Sequence, residues 1–344
     1  MLIGGKMKKL NFKIIENNMG SQYHHYLLGI ILQNKNNWKF VYNNYIGILV
    51  KHYANSHGDF CFDGIYSANH HILQELIIRG PLTDFHNTIK ECLDHDLYVV
   101  MNINEQILPY RRAYNRYYFR HDVIIYGYDE EKQQYVTAGF DEETKYCEKW
   151  YAFEEIEKAY YAMLNEWDFE FFIFRYNDQY VVELDLPKIK KELEFFVEGK
   201  NPNSLELEDL FEKRIDTYYV NNSYKDYYGI EVYTYLIDRL KKQSKILKKK
   251  EVLCTNDLRT LNVLKTHLYI INRFINDEIK IENNHITLLS EEMIKIINNL
   301  HMISSLIIRY IGRSEEKKLK TAIKLLQKCK KEERIIINKI LEIL

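Results

Sequence analysis

A histidine and an aspartate stand at opposite ends of a predicted β-hairpin. His121 opens an apolar run that ends at Asp129, and Asp141 closes the next run, which begins at Gln134. In an antiparallel hairpin the start of one strand lies beside the end of the other. We therefore expect His121 and Asp141 to meet at one edge of the sheet. There the carboxylate would fix the tautomer of the imidazole, as in the base half of a nucleophilic triad.

Two alternatives to this pairing stay open. His121 fits equally well as a half-buried sheet histidine bonded to the backbone, and Asp141 as the cap of its own turn. Asp122 also neighbours the histidine in sequence. Because side chains alternate along a strand, the sequence predicts that Asp122 faces away from His121 and is not its partner.

The nucleophile that such a histidine would serve is not evident. The five cysteines are odd in number and lack Cys-x-x-Cys spacing, which argues against a zinc site or a disulfide framework and favours reduced thiols. Cys61, between two phenylalanines in a glycine-flanked loop, is the candidate for a relocated nucleophile; a buried inert thiol is the alternative. Cys92, on the apolar face of a helix, and Cys147, on an edge strand, are weaker candidates.

The histidines His24 and His25, and likewise His70 and His71, stand in adjacent pairs. Adjacent residues on a helix point about 100° apart, and the i, i+4 spacing of metalloproteases is missing. We therefore expect neither a metal site nor a cofactor. His24 or His25 could instead share a cleft with His121.

The composition sets broad limits on function. The 48 basic and 49 acidic residues nearly cancel, so no global field attracts nucleic acid or an anionic membrane. No apolar run approaches the roughly 20 residues that a membrane span requires, and residues 1–6 lack the apolar core of a signal peptide. We expect a cytoplasmic protein that binds neither nucleic acid nor membrane.

The elements that must position His121 follow an α+β pattern. A buried helix is predicted over residues 21–32, with Ser21 as its N-cap. Residues 38–41 and 46–53 fit either a strand or a helix, and residues 58–64 predict a loop. The other predicted elements are helices at 81–96 and 153–165 and strands at 98–104, 121–129, 134–141, 145–151 and 168–176, the last of which closes the sheet.

The pattern changes near residue 181. Proline is absent beyond Pro202, and apolar residues recur with helical period over 230–240, 258–271, 293–311 and 319–344. We predict an α+β domain over residues 1–180 and an all-helical bundle over 181–344. The basic run 240–251 is typical of a solvated helix end, and a patch for an acidic partner is the alternative.

This order of features resembles the butirosin biosynthesis protein H-like family. The residues that carry the resemblance, within about residues 15–176, are the Leu108-Pro109-Tyr110 loop, the segment 121–129, Gly139-Phe140-Asp141 and the segment 153–160. Tyr228 to Tyr233, followed by helices, is similar to the helical extension of that family. The resemblance implies a papain-like cysteine-peptidase-type domain, related to bacteriocin-processing peptidases, followed by an all-helical bundle.

The resemblance also implies site residues. It places a cysteine nucleophile at the start of the first buried helix, matches His121 to the family histidine, and makes Asp141 the residue that orients it. At the cysteine position this chain reads Ser21-Gln22-Tyr23-His24-His25, without a thiol. Gln22, Tyr23 and His24 are therefore candidate residues of an altered cleft. Ser21 is a candidate serine nucleophile, with helix capping as its alternative.

Some members of that family are acyltransferases that move an acyl group from a carrier-protein thioester to an amine. One hypothesis for this chain is an accessory protein of a nonribosomal peptide or polyketide-type pathway that binds a carrier protein or its phosphopantetheine thioester. Another is an active amide-forming acyltransferase in which His121 and Asp141 activate a small amine acceptor. The cluster Arg111, Arg112 and Arg116 would hold a phosphate or an acidic helix, or it forms a solvated loop. A helical interaction module is a third hypothesis.

Overall fold

The computed structural model describes residues 6–16, 22–51, 59–62, 71–165, 169–200, 227–245, 255–279, 283–313 and 315–344. The chain divides into two compact units. The first, here called the sheet unit, comprises residues 1–38 and 66–182; the second, the bundle unit, comprises residues 39–65 and 183–344. The bundle unit thus includes an early segment of the chain as well as its carboxyl-terminal half.

The structure confirms a mixed fold with an antiparallel sheet and a helical region. The described strands are β1 Met7–Lys9, β2 Ile48–Lys51, β3 Asp59–Phe62, β4 Leu73–Arg79, β5 Leu97–Asn104, β6 Arg120–Asp129, β7 Gln134–Phe140, β8 Tyr146–Ala152, β9 Glu170–Tyr176 and β10 Tyr227–Tyr228. The described α-helices are α1 Gln22–Ile31, α2 Trp38–Asn44, α3 Phe85–Asp94, α4 Phe153–Tyr161, α5 Leu186–Glu198, α6 Val232–Lys245, α7 Thr255–Glu278, α8 Asn283–Arg313 and α9 Glu316–Ile343.

A seven-stranded antiparallel sheet organises the sheet unit. Its strand order is β4-β9-β5-β6-β7-β8, and β1 also pairs with β6. The central strand β5 is almost continuously apolar and is buried along most of its length, as expected of a strand covered on both faces. Helix α1 is buried on nearly every side, whereas α3 and α4 bury a single apolar face. The early buried helix predicted from the sequence is thus confirmed.

A bulge in β6 determines how the hairpin is aligned. Pairing with β7 shifts between Ile125 and Gly127, and a Cβ atom on Gly127 would lie 2.5 Å from the carbonyl oxygen of Lys8 in β1. Glycine therefore allows β1 to approach β6 closely. Before the bulge, Ile124 lies opposite Ala138. This register brings the start of β6 and the end of β7 to the same edge of the sheet.

The bundle unit combines a small sheet with long helices. Its three antiparallel strands have the order β10-β2-β3, and α8 and α9 contain 31 and 28 residues. The helical segments that the apolar periodicity predicted are confirmed. Within the described part of the chain, no helix is both long enough and apolar enough to span a bilayer.

Two predictions of secondary structure need correction, and one strand was missed. Residues 59–62, predicted as a loop, form β3, because the alternating aromatic residues at 60 and 62 suit a strand that pairs with β2. Strand β9 does not close the sheet but lies between β4 and β5. The edge strand β4 was not predicted, since Gln74, Glu75 and Arg79 interrupt its apolar pattern.

We expect the stability of the bundle unit to depend on pH through Glu231. The ammonium group of Lys330 lies 2.8 and 2.9 Å from its two carboxylate oxygens, and the Thr234 hydroxyl donates to it at 2.6 Å. Burial alone would raise the pKa of Glu231, but Lys330 and Thr234 outweigh it and hold the pKa below its ordinary value. A lowered pKa stabilises the fold above the unfolded-state pKa of about 4.3. That contribution is lost as the pH falls through the folded-state pKa.

Urea unfolding of the wild type and of Glu231→Gln measures this contribution. The wild type should be the more stable at neutral pH, and the difference should shrink as the pH falls below about 4. An equal difference in stability at neutral pH and below about pH 4 would contradict the assignment of this pH dependence to Glu231.

Candidate functional site

Gln22, the first residue of α1, contacts His121 through its side-chain amide. Gln22 Nε2 lies 3.0 Å from His121 Nδ1 and donates to the carbonyl oxygen of Asp122 at 2.5 Å. Gln22 Oε1 accepts from the backbone N–H of Phe140 at 3.1 Å, and Nε2 also contacts the Tyr26 hydroxyl. Because the Gln22 residue is only 4% exposed, these contacts are shielded from water. Gln22 therefore ties the start of α1 to both strands of the hairpin.

The orientation of this amide places its nitrogen beside His121. Gln22 Oε1 accepts from Phe140, so Nε2 is the end of the amide that lies against Nδ1. Nε2 carries two protons and has three polar neighbours, the Asp122 carbonyl, the Tyr26 hydroxyl and His121 Nδ1. The ring stacks on Phe119 at 5.3 Å and 17°, and the side chain is 30% exposed. A partly exposed imidazole of this kind can form a hydrogen bond with a ligand.

Two carboxylates lie beside His121, and sequence reasoning missed both as its partners. The oxygens of Glu105 and Asp122 are 3.6 and 3.4 Å from Nδ1. Glu105 directly follows β5, and Ile103 of β5 pairs with His121. Knowing that β5 is a neighbour of β6 would therefore have identified Glu105 as a partner of His121. Burial raises the pKa of Glu105, although Arg111 and His121 oppose that rise. The site therefore holds a carboxyl group that retains its proton more readily than an exposed one.

The prediction that Asp122 faces away from His121 and is not its partner was wrong. Alternation sets the direction of each Cβ atom along a strand, but the carboxylate extends beyond Cβ and reaches the neighbouring ring near the start of β6. The backbone carbonyl of Asp122 is meanwhile fixed by Gln22 and by the Tyr26 hydroxyl, which donates at 2.9 Å. Asp122 thus belongs to the same cluster as His121.

Asp141 uses its carboxylate within its own turn. Oδ1 accepts from the backbone N–H groups of Glu143 and Lys145 at 3.0 and 2.9 Å, and Oδ2 lies 3.7 Å from the sulfur of Cys147. These bonds form the turn between β7 and β8. The structure thus brings Gln22 to His121 and gives Asp141 the turn-capping arrangement that the sequence left open.

The residues after Gln22 have surroundings of their own. The Tyr23 hydroxyl donates to Glu75 in β4 at 3.0 Å. His25 is fully buried and packs on Tyr146 at 4.5 Å, and His24 is 2% exposed. Among the residues that the structure describes, no three His, Cys, Asp or Glu side chains are arranged to hold a metal ion.

The thiols whose environment is described are not activated. Cys61 lies in β3 of the bundle unit, where its backbone pairs with Leu49; its side chain lies outside the described part, as do Ser21 and His70. Burial is the main cause that raises the pKa of each described thiol. It raises the pKa of Cys92 to about 11 and that of Cys329 to about 12, and it also raises the pKa of Cys147. A thiol with a raised pKa holds little thiolate at neutral pH and is a poor nucleophile.

Arg111 is buried, whereas Arg112 and Arg116, with which it was predicted to form a cluster, are exposed. It is 3% exposed, donates to the carbonyl oxygen of Phe140 at 2.8 Å, and lies 3.8 Å from Glu105. Its guanidinium group also faces the ring of Tyr151 at 5.9 Å. Burial alone would lower the pKa of Arg111, but Tyr151 and Glu105 outweigh it and raise the pKa. Arg111 is therefore an internal cation that supports Glu105.

The loop between β5 and β6 presents aromatic and basic side chains to solvent. We call its exposed residues Tyr110, Arg112, Tyr114, Arg116, Tyr117 and Phe119 the basic–aromatic loop. The loop is closed by a hydrogen bond from the backbone N–H of Glu105 to the carbonyl of Phe119 at 2.9 Å. Neither Arg112 nor Arg116 forms an ion pair with a described carboxylate. This loop leads directly into β6 and His121.

We expect Gly139→Ala to destabilise the sheet unit by about 2–3 kcal/mol. A Cβ atom on Gly139 would lie 2.2 Å from Nη1 and 2.5 Å from Nη2 of Arg111, and the buried guanidinium has no solvent-side position to occupy. Thermal unfolding measures the loss. If the cause is this clash, adding Arg111→Ala should destabilise the double variant by less than the sum of the two single changes. Strict additivity would contradict the account.

Comparison with protein-family models returned no match, and no curated protein matches the chain.

Proposed function

We propose that this chain is a papain-like accessory protein of a nonribosomal peptide or polyketide-type pathway. In this proposal it is cytoplasmic and binds a carrier protein or its acyl thioester without a cysteine nucleophile. The observation that carries the proposal is the contact between Gln22 and His121. A buried helix that begins beside a strand histidine is the arrangement that the family resemblance implies for a cysteine–histidine pair. In this proposal the amide of Gln22 takes the place of the thiol.

The chemistry of Gln22 favours binding over turnover. A carboxamide is not a nucleophile towards a thioester, and both polar ends of this one are already bonded within the protein. Its contact with Nδ1 also occupies the imidazole nitrogen that would otherwise take a proton from a thiol. In this proposal Nε2 of His121 carries a proton and donates it to the carbonyl oxygen of a bound acyl group.

The basic–aromatic loop supports a carrier protein as the partner. Arg112 and Arg116 suit a phosphate ester or an acidic helix, both of which arginine binds through charge-assisted hydrogen bonds. Tyr110 and Tyr117 are 58% and 48% exposed, and exposed tyrosines are common where proteins bind each other. A phosphopantetheine phosphate on this loop would have its thioester arm close to the chain segment that contains His121.

Binding of a fluorescent acyl carrier protein carrying a phosphopantetheine thioester tests this function. Fluorescence anisotropy should detect a complex that weakens with added salt and is weakened at least about tenfold by Arg112→Glu with Arg116→Glu. The matched control reverses two exposed lysines of the same unit, Lys132 and Lys158, and should leave affinity unchanged. No binding, or equal losses in both double variants, would contradict the proposal.

An active acyltransferase is the second candidate, and the carboxylates beside His121 favour it. Glu105 and Asp122 could stabilise a protonated imidazole if His121 removed a proton from an acceptor amine. A carrier-bound thioester is already activated, so the amine could attack it without a protein nucleophile. Asp141, bonded within its turn, has no part in this version.

Product analysis separates the two candidates. The chain would be incubated with acyl thioesters and simple amines, beside His121→Ala and Cys61→Ala. Amide formation that is lost in His121→Ala and kept in Cys61→Ala would establish the acyltransferase. A covalent acyl adduct lost only in Cys61→Ala would identify a relocated nucleophile. Binding without product or adduct agrees with the accessory role.

A further inference from the structure

The edge strand β4 exposes an apolar surface. Leu76, Ile77 and Ile78 are 57%, 43% and 36% exposed, and among the described strands β4 pairs with β9 alone. Unpaired edge strands with exposed apolar residues readily add another strand. The opposite edge, β8, is different, because it places charged Glu148 and Lys149 at the middle of the strand.

The hydrogen bonds at the two ends of β4 show which backbone groups point outward. Asn177 donates to the carbonyl of Ile72 at 2.9 Å, and Gly80 donates to the carbonyl of Phe169 at 3.0 Å. In an antiparallel ladder hydrogen-bonded positions alternate, so the even-numbered residues of β4 bond to β9. The backbone N–H and C=O groups of Glu75, Ile77 and Arg79 therefore point away from β9, to the edge that no described strand covers.

We propose that β4 pairs with β4 of a second copy of this chain, in antiparallel register about a two-fold axis at Ile77. This register places Glu75 of each copy opposite Arg79 of the other copy, so that the pair occurs two times in the dimer. It joins two seven-stranded sheets through the outward backbone groups of residues 75, 77 and 79.

Charge selects this register among those that the backbone allows. Only outward residues can be hydrogen-bonded opposite one another, so the two-fold axis can lie at residue 75, 76 or 77 near the middle of the strand. An axis at residue 75 would place Glu75 against Glu75, and an axis at residue 76 would place it against Ile77. The axis at residue 77 gives two cross-strand ion pairs, and it sets Leu76 against Ile78 on the other face. The strand is thus self-complementary in both charge and apolar surface.

The mass of the full chain in solution, measured by sedimentation across a range of concentrations, tests the proposal. The wild type should form a dimer, and Glu75→Arg should weaken it about tenfold by opposing like charges. The exchange Glu75→Arg with Arg79→Glu should restore it. Both variants lose the hydrogen bond from Tyr23, and the exchange also removes the ion pair between Arg79 and Glu170 of β9. Neither loss would strengthen a dimer, so recovery in the exchange variant must come from the cross-strand charges. A monomer at every concentration, or a dimer unaffected by Glu75→Arg, would overturn the proposal.

A cysteine at the two-fold axis tests the register itself. Hydrogen-bonded residues in antiparallel strands have Cα atoms about 5.5 Å apart, within the range that a disulfide spans. Ile77→Cys should therefore form a covalent dimer under mild oxidation. Leu76→Cys, more exposed in the same strand but opposite Ile78, is the matched control and should not. Equal crosslinking of both variants, or none of Ile77→Cys, would overturn the register.

Discussion

Replacing Gln22 with alanine should lower the free energy of unfolding of the sheet unit by about 3 kcal/mol. The change removes a buried amide and leaves the backbone N–H of Phe140 and the carbonyl of Asp122 without their side-chain partner. Leaving a buried polar group unsatisfied costs about 1–3 kcal/mol. Thermal unfolding should show a midpoint lower by roughly 5–10 °C for a unit of this size.

The matched control is Gln179→Ala, which changes an exposed glutamine of the same unit that bonds only to its neighbouring turn. It should alter the midpoint by no more than about 1–2 °C. If Gln22→Ala is as harmless as this control, Gln22 does not connect α1 to the hairpin. The hydrogen bonds of Gln22 to Phe140 and Asp122 would then contribute little to the stability of the sheet unit.

Glu333→Ala should be the most destabilising single change in the bundle unit, by about 4 kcal/mol. Glu333 is fully buried in α9, where it accepts from the Tyr233 hydroxyl and lies 3.2 Å from His267 Nε2. His267 stacks on Phe196 at 4.4 Å. One carboxylate thus connects α6 and α7 to α9, and its removal leaves two buried polar side chains without their partner. Urea unfolding followed by circular dichroism measures the loss.

The adjacent residue provides the control. Glu332 lies on the same helix, is 39% exposed and pairs with Lys328 at 3.6 Å. Because exposed ion pairs contribute little, Glu332→Ala should change stability by less than about 1 kcal/mol. Replacing Glu333 and Tyr233 together, by leucine and phenylalanine, should cost less than Glu333→Ala, since no hydroxyl is then left unpaired. Equal effects of the two alanine variants would contradict a buried polar contact.

Much of the fold could be predicted from the sequence because its patterns are local. Spacing within a single element predicts the apolar faces of α3 and α4. It also predicts the apolar strand β5 and the helical repeat of apolar residues in α8. Strand β4 could not be predicted in this way. Its apolar residues Leu76, Ile77 and Ile78 are consecutive and face both sides, because the strand lies at an edge, and edges are set by strand order rather than by local pattern.

The candidate site was predictable only in part. His121 and Gln22 follow from the hairpin and from the start of the buried helix, but their contact depends on how α1 packs against β6 and β7. The hairpin pattern predicted Asp141 as the partner because a hairpin includes only one neighbour of β6, the strand β7. The other neighbour, β5, brings Glu105 to the histidine instead. Strand order is a property of the whole sheet, so spacing along the chain could not reveal it.

Exposure to an acyl phosphopantetheine thioester, followed by intact-protein mass spectrometry, tests the central claim most directly. Under the proposed function the wild type should gain no acyl mass and release no amide, because that proposal puts Gln22, which is not a nucleophile, in the place of the family cysteine. Gln22→Cys should gain one acyl group at the new thiol, and Gln22→Cys with His121→Ala should react much more slowly, by about 100-fold at pH 6. Turnover by the wild type, or a Gln22→Cys thiol that reacts equally with and without His121, would contradict the account.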